Sequence, residues 1–171
     1  MKYPSSLLPT ATETVELSSG KAVEISKALS VFKPWRGKPI TDTYGGKAIL
    51  SFYRKPEFAE LGILRIFQQD GWGGVWVDTY RRKFRTHYWP QNEVSLPKKR
   101  ALLLNLICEA AGSPSGCFDV FCWKGRNYLF IESKRSAKDR LQISQKHWIE
   151  SALKCGVPRE SLLIVEWRVS A

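Results

Sequence analysis

Asp119 interrupts an otherwise apolar run, Cys117 to Trp123, and Glu132 and Lys134 break into a second one, Tyr128 to Lys134. Both runs read as strands, joined by the hairpin-length link Lys124-Gly125-Arg126-Asn127. Alternate side chains of a strand share a face, so Tyr128, Phe130, Glu132 and Lys134 lie together, opposite Leu129, Ile131 and Ser133. If the two strands are neighbours, Asp119 and Glu132 meet. Two close carboxylates repel unless a cation lies between them, and oxygen ligands suit Mg²⁺ or Mn²⁺. Lys134 beside such an ion could orient or deprotonate a water, or offset charge developing on a phosphate. The plainer reading is a surface ion pair between Glu132 and Lys134 on an edge strand.

The elements around this pair supply two further candidates. The segment after Lys134 predicts a helix from about Arg140 to Cys155, with Asp139 as N-cap and Gln142 completing a capping box. Leu141, Trp148, Ile149 and Ala152 form its apolar stripe, and Gln145 falls in the middle of that stripe. A polar side chain on a buried face needs partners, either backbone groups of the core or a polar site. Pro56 predicts a helix start, with the helix running over Glu57 to Gln69. Glu60 sits inside the arc of Ile63, Leu64 and Phe67 and is the fourth acidic candidate. Glu57, at the water-accessible edge of the arc, competes with it.

The rest of the chain gives the order. Residues 1 to about 20, rich in Ser, Thr and Pro, are expected to be loosely ordered. Ala22 to Phe32 is a short helix or strand, and residues 1–50 read as a partly disordered or accessory N-terminal arm. Residues 51–171 form the domain that carries the acids. There, Trp72 to Tyr80 is a strand, Ser95 caps a helix through Ala111, and Ser161 to Val169 closes the chain as a strand. The order α-β-α-β-β-α-β predicts an α/β fold, a mixed central sheet flanked by helices.

The 171 residues hold 27 Lys and Arg against 16 Asp and Glu, a net charge of +11. Such an excess favours a polyanion, whose counterions are released on neutralisation, although a solubilising surface would read alike. Cys108, Cys117, Cys122 and Cys155 lack CxxC spacing, so neither a zinc site nor a disulfide framework is indicated. The N-terminus lacks a signal-peptide core and no run approaches membrane-span length, which predicts a cytoplasmic protein with no membrane contact.

The linked motifs resemble a known family. Gly112-Ser113-Pro114-Ser115-Gly116, Asp119, Phe130-Ile131-Glu132-Ser133-Lys134, Lys138-Asp139-Arg140-Leu141, Gln145 and Trp148 resemble the VRR-NUC branch of the PD-(D/E)xK nuclease superfamily. The match covers residues 112 to 157 well and extends more weakly to the Glu60 helix and Gly71-Trp72-Gly73-Gly74. Ser133 stands where that branch commonly has Val. The resemblance implies a three-layer α/β/α, restriction-endonuclease-like core and Mg²⁺- or Mn²⁺-dependent hydrolysis of phosphodiesters in DNA, selective for branched or junction forms. RNA is a further candidate substrate, and a homodimer is one admissible assembly. The implied metal ligands are Asp119, Glu132 and the Ser133 carbonyl, with Lys134 assisting the water, Gln145 supporting the site and Glu60 assigned by position. A non-cleaving nucleic-acid-binding module on the same fold is the alternative.

For phosphate contacts, Arg135, Lys138 and Arg140 leave the strand bearing Glu132 and Lys134 and come first. Arg81, Arg82, Lys83 and Arg85 form a second cluster and Lys98, Lys99 and Arg100 a third, each equally readable as a solvated face. His87 and His147 receive no role, and Trp89 is expected to be the most exposed tryptophan.

Overall fold

A computed structural model describes residues 3–40, 43, 46–79, 81–87 and 93–170. Among the described residues, nine strands form one mixed sheet: β1 (Ala11–Glu16), β2 (Ala22–Pro34), β3 (Leu50–Phe52), β4 (Lys55–Glu57), β5 (Gly73–Asp78), β6 (Lys83–Arg85), β7 (Val120–Lys124), β8 (Asn127–Arg135) and β9 (Leu162–Val169). Three helices, α1 (Ala59–Gln69), α2 (Lys98–Ala110) and α3 (Ile143–Lys154), flank it. The sheet order is β4-β3-β2-β9-β8-β7-β5-β6, with β1 also paired to β2. β5, β7 and β8 run antiparallel, whereas β9 is parallel to both β8 and β2. Parallel neighbours need a long crossover, and α3 supplies the one between β8 and β9.

Each face of the sheet carries its own core. Leu61, Ile63, Leu64 and Phe67 of α1 pack with Leu129 and Ile131 of β8 and with Leu163 and Val165 of β9. On the opposite face, Leu104 and Ile107 of α2 and Trp148, Ile149 and Ala152 of α3 pack on Phe121, Phe130 and Ile164. Trp148 stacks on Phe118 with ring centroids 5.3 Å apart and meets Phe130 edge-on. Truncating a buried aromatic of this kind typically costs about 3–5 kcal/mol. Gly74 lets α1 approach β5, because a Cβ there would lie 2.8 Å from Leu64.

Several sequence expectations change. Residues 11–16, expected to be loosely ordered, form β1, and Leu7, Val15 and Leu17 are buried. Ala22 to Phe32 resolves as a strand, β2, running parallel to β9. Residues 1–50 thus supply β1, β2 and the first residue of β3, and β2 pairs along the edge of β9 that would otherwise leave its backbone groups open. The first helix starts at Ala59, and Glu57 lies in β4, because its backbone is already paired with that of Leu50. Pro97 is the residue before α2, and Ser95 does not cap it. The chain link between β7 and β8 tightens to Gly125-Arg126. The capping box exists, but Gln142 and Gln145 form it, three residues beyond the expected start. Asp139 instead accepts a hydrogen bond from the Arg135 backbone N–H and closes the turn after β8. Trp89 and Tyr80 lie outside the described residues. Among the described residues, no helix is long and apolar enough to cross a membrane.

Candidate active site

Asp119 sits one residue before β7, where the β7–β8 ladder has ended at Val120 and Ile131. Its Oδ2 accepts the Ser133 backbone N–H at 2.9 Å. In a strand, the N–H and C=O of one residue point to the same neighbour. The Ser133 carbonyl therefore faces the Asp119 side, beyond the last pair of the ladder. The Ser133 hydroxyl lies on the other edge of the site, where it accepts the indole N–H of Trp167 at 3.0 Å.

Glu132 projects from β8 toward α3 and is 1% exposed. Its Oε1 accepts hydrogen bonds from Lys134 Nζ at 2.9 Å and from Gln145 Nε2 at 2.5 Å. Lys134 also donates to Gln145 Oε1 at 2.9 Å, and the same oxygen caps the Gln142 N–H. Gln145 is thus a helix cap and a site residue at once: the first turn of α3 fixes its amide, and the amide fixes Glu132 and Lys134. Glu132 Oε2 is buried with no hydrogen-bond partner.

Gly116 holds the two halves of this arrangement together. Its φ is +86°, and a Cβ would lie 2.2 Å from the Ser144 carbonyl oxygen. Only glycine lets the loop ahead of Asp119 close onto the start of α3.

Glu60, on the first turn of α1, is 8% exposed and pairs with Lys47. Lys47 comes from the stretch read as an accessory arm, and no pattern in the sequence marks it. Burial disfavours its ammonium, but Glu60 and then Asp119 outweigh that and raise its pKa, with Glu132 adding to them. Three carboxyl groups (Glu60, Asp119, Glu132) therefore share a site with two ammonium groups (Lys47, Lys134). The negative excess shows in the acids. Asp119 is pushed up to about 6, by burial first and then by Glu60. Glu132 is raised well above the usual carboxylate range by burial and then by Asp119, against the pull of Lys134. Glu57, expected at a water-accessible edge, is buried and pairs with Arg65 at 3.4 Å rather than with the cluster.

The acids open onto two cavities. One of about 180 Å³ is lined by Lys47, Glu60, Ser133, Arg135 and Trp167. The other, about 730 Å³, is lined by Arg82, Lys83, Ser115, Asp119 and Gln145, with Val77, Phe84 and Leu104 as apolar wall. Among the residues expected to bind phosphate, Arg135 lies over the Trp167 ring at 5.5 Å, and Lys138 and Arg140 are exposed beside it. Arg82 is exposed, Lys83 reaches Glu93 at 3.7 Å, and Arg81 pairs with the buried Asp78 at 3.4 Å; Arg85, read with them as a phosphate contact or a solvated face, is instead buried against Asp78 at 3.2 Å. Arg100 is spent on the Gly125 and Asn127 carbonyls and the Tyr128 ring. His147 Nε2 meets the Ala111 carbonyl at 3.2 Å.

Among the described residues no three Asp, Glu, His or Cys side chains are arranged as a ready metal site. The donors that are present still suit a hard divalent cation: an orphaned buried Glu132 oxygen, the Asp119 carboxylate and the Ser133 carbonyl side of β8, with room for water in the adjoining cavities. No family model, curated protein or solved structure matches this chain.

Proposed function

We propose that the chain is a metal-dependent endonuclease that hydrolyses phosphodiester bonds in DNA, on a PD-(D/E)xK-type core made of α1, β5, β7, β8, α3 and β9. The observation that carries the reading is Glu132: a buried carboxylate with one oxygen held by Lys134 and Gln145 and the other unpartnered, next to Asp119. Leaving a buried carboxylate oxygen unpaired is costly, and a binding-only module has no use for it. Asp119, Glu132 and the Ser133 carbonyl would hold Mg²⁺ or Mn²⁺, with Glu60 reached directly or through water. Such an ion, when bound, supplies positive charge to the phosphate and lowers the pKa of a nearby water.

The residues of the chain do the remainder. Lys134, fixed by two oxygens, points an ammonium at the site, where it orients the attacking water and offsets charge building on the phosphate oxygens. Water adds to phosphorus and gives up a proton to solvent, the P–O bond to the leaving strand breaks, and the departing alkoxide takes a proton from solvent. Arg135, Lys138 and Arg140 hold the backbone on one side of the acids, and Arg82 and Lys83 on the other. The test is cleavage of plasmid and branched DNA in EDTA, Mg²⁺ and Mn²⁺, with Asp119→Ala and Glu132→Ala as controls. Metal-dependent nicking lost in both variants supports the reading. DNA binding with no cutting under any metal would leave a non-cleaving nucleic-acid-binding module, and cutting by both folded variants would remove the site assignment.

A further inference from the structure

Asp119 stands between the other two acids of the cluster. Glu60 is the strongest charge acting on it, and Asp119 is in turn the strongest charge acting on Glu132. A carboxylate between two others leaves two places that call for positive charge, and two-metal hydrolases fill such places with a pair of cations. Here the two places differ. On the Glu132 side, Oε2 of Glu132 has no hydrogen-bond partner, and Asp119 Oδ2 accepts only a backbone N–H, that of Ser133. On the Glu60 side, the Lys47 ammonium is already present, ion-paired with Oε1 of Glu60.

Lys47 is fixed in that position by its surroundings. Its backbone N–H donates to the Thr43 carbonyl at 2.9 Å and the Gly46 N–H donates to Thr43 Oγ1 at 3.2 Å, which closes the turn that delivers it. Its Nζ lies over the buried Phe58 ring, 5.6 Å from the centroid, and the face of an aromatic ring attracts a cation. A surface lysine keeps its ammonium in water, whereas this one lines the 180 Å³ cavity with Glu60 and Ser133. Burial disfavours the charged form, and Glu60, Asp119 and then Glu132 more than restore it. An ammonium is thus held among carboxylates at the position where a two-metal site would place its second ion.

Charge limits how many further cations fit. Metal ligands bind deprotonated, and the three carboxylates, once ionised, leave one negative charge after Lys47 and Lys134 are set against them. One divalent cation turns this into one positive charge, which matches the single negative charge of a phosphodiester. A second would have to sit against the Lys47 ammonium and displace it from Glu60. We infer that Lys47 occupies the place of a second divalent cation, so that the centre takes a single Mg²⁺ or Mn²⁺. This rests on the nuclease reading, whose ion it counts. Lys47 then supplies, from the Glu60 side, part of the positive charge that a two-metal site draws from its second ion.

The test strips the full chain of metal with EDTA, removes the chelator, and titrates Mn²⁺ alone, counting bound ions by calorimetry and by electron paramagnetic resonance. The unaltered protein should bind one Mn²⁺ per chain, with the spectrum of an isolated ion. Lys47→Met, which keeps an unbranched chain and removes the charge, should bind two and show the spectrum of a coupled pair. Lys47→Arg, which keeps the charge, should stay at one, an outcome that a merely structural role for the lysine would not produce. If Lys47→Met does not melt cooperatively, Lys47→Gln takes its place. Two ions in the unaltered protein, or one ion in the charge-removing variant, overturns the inference. Plasmid cleavage on the same samples keeps the two readings apart: metal-dependent cutting by a protein that binds two ions leaves the nuclease standing and removes only the role of Lys47. No bound ion together with no cutting removes both.

Discussion

The Gln145 side-chain amide joins α3 to the site: its Nε2 donates to Glu132 Oε1 while its Oε1 accepts from Lys134 and caps the Gln142 N–H. One side chain thus sets the position of a carboxylate and an ammonium that belong to a different element. Gln145→Ala leaves Glu132 with only Lys134, removes a helix cap and frees both site residues to move. We expect cleavage to fall by about 10–100-fold and stability by about 1 kcal/mol, a typical cap loss. Gln145→Glu, which keeps the cap acceptor but sets a fourth carboxylate against the buried Glu132 in place of the amide donor, should restore neither the rate nor the full stability. Kinetics and thermal melts on both variants check this; full activity in Gln145→Ala would remove its positioning role.

Lys134→Ala should lower kcat far more than DNA affinity, by about 100-fold or more, because an ammonium acting on charge that develops in the transition state contributes little to ground-state binding. Single-turnover cleavage alongside binding measured in Ca²⁺ separates the two. An equal loss in both would make Lys134 a phosphate anchor.

Asp119 gives a pH signature without any substrate. Its pKa stands near 6 in the folded chain, above the ordinary 3.8. The folded state then holds the proton more tightly than the unfolded one. Its contribution is favourable below about pH 4 and is lost as pH rises through about 6. In EDTA, Asp119→Asn should therefore match the unaltered protein near pH 4 and exceed it by on the order of 2 kcal/mol above pH 7. Denaturant melts across that window check the sign, and a gain that shrinks with rising pH would contradict it.

On the proposed reading, Lys47 would compete with a divalent cation for the same three carboxylates. Removing the ammonium with Lys47→Met should tighten Mn²⁺ binding severalfold by direct titration, whatever happens to cleavage. Glu60→Gln, which removes a carboxylate from the cluster, should do the reverse and raise the metal concentration needed for activity. Glu57→Gln, facing Arg65, should leave metal dependence where it is.

DNA binding should weaken steeply with salt, as neutralised phosphates release counterions. Replacing Arg135, Lys138 and Arg140 together should flatten the slope of log affinity against log salt by about two to three units without changing the metal requirement. An unchanged slope would move the contact surface to Arg82, Lys83 and the exposed Lys98 and Lys99.

Sequence alone determined the elements whose signals are local. The apolar runs broken by Asp119, Glu132 and Lys134, the Gly125 turn between them, and the 3.6-residue stripe of Trp148, Ile149 and Ala152 set β7, β8 and α3, because strand and helix periods read directly from side-chain type. Those periods also faced Gln145 and Glu60 inward. Tertiary structure decided the rest. The N-terminal segment gives no periodic signal strong enough to mark β1, yet β2 lies along β9, where pairing satisfies backbone groups of an otherwise open edge. The position of α3's cap moved from Asp139 to Gln142, since Asp139 was needed to close the turn at Arg135. Glu57 and Glu60 were separated by a strand-to-helix boundary, and such boundaries depend on pairing with Leu50, distant in sequence. Lys47 lay beyond sequence reasoning altogether. Its place among the acids comes from where a loop crosses the end of the sheet, and charge complementarity at that crossing exists only once the chain has folded.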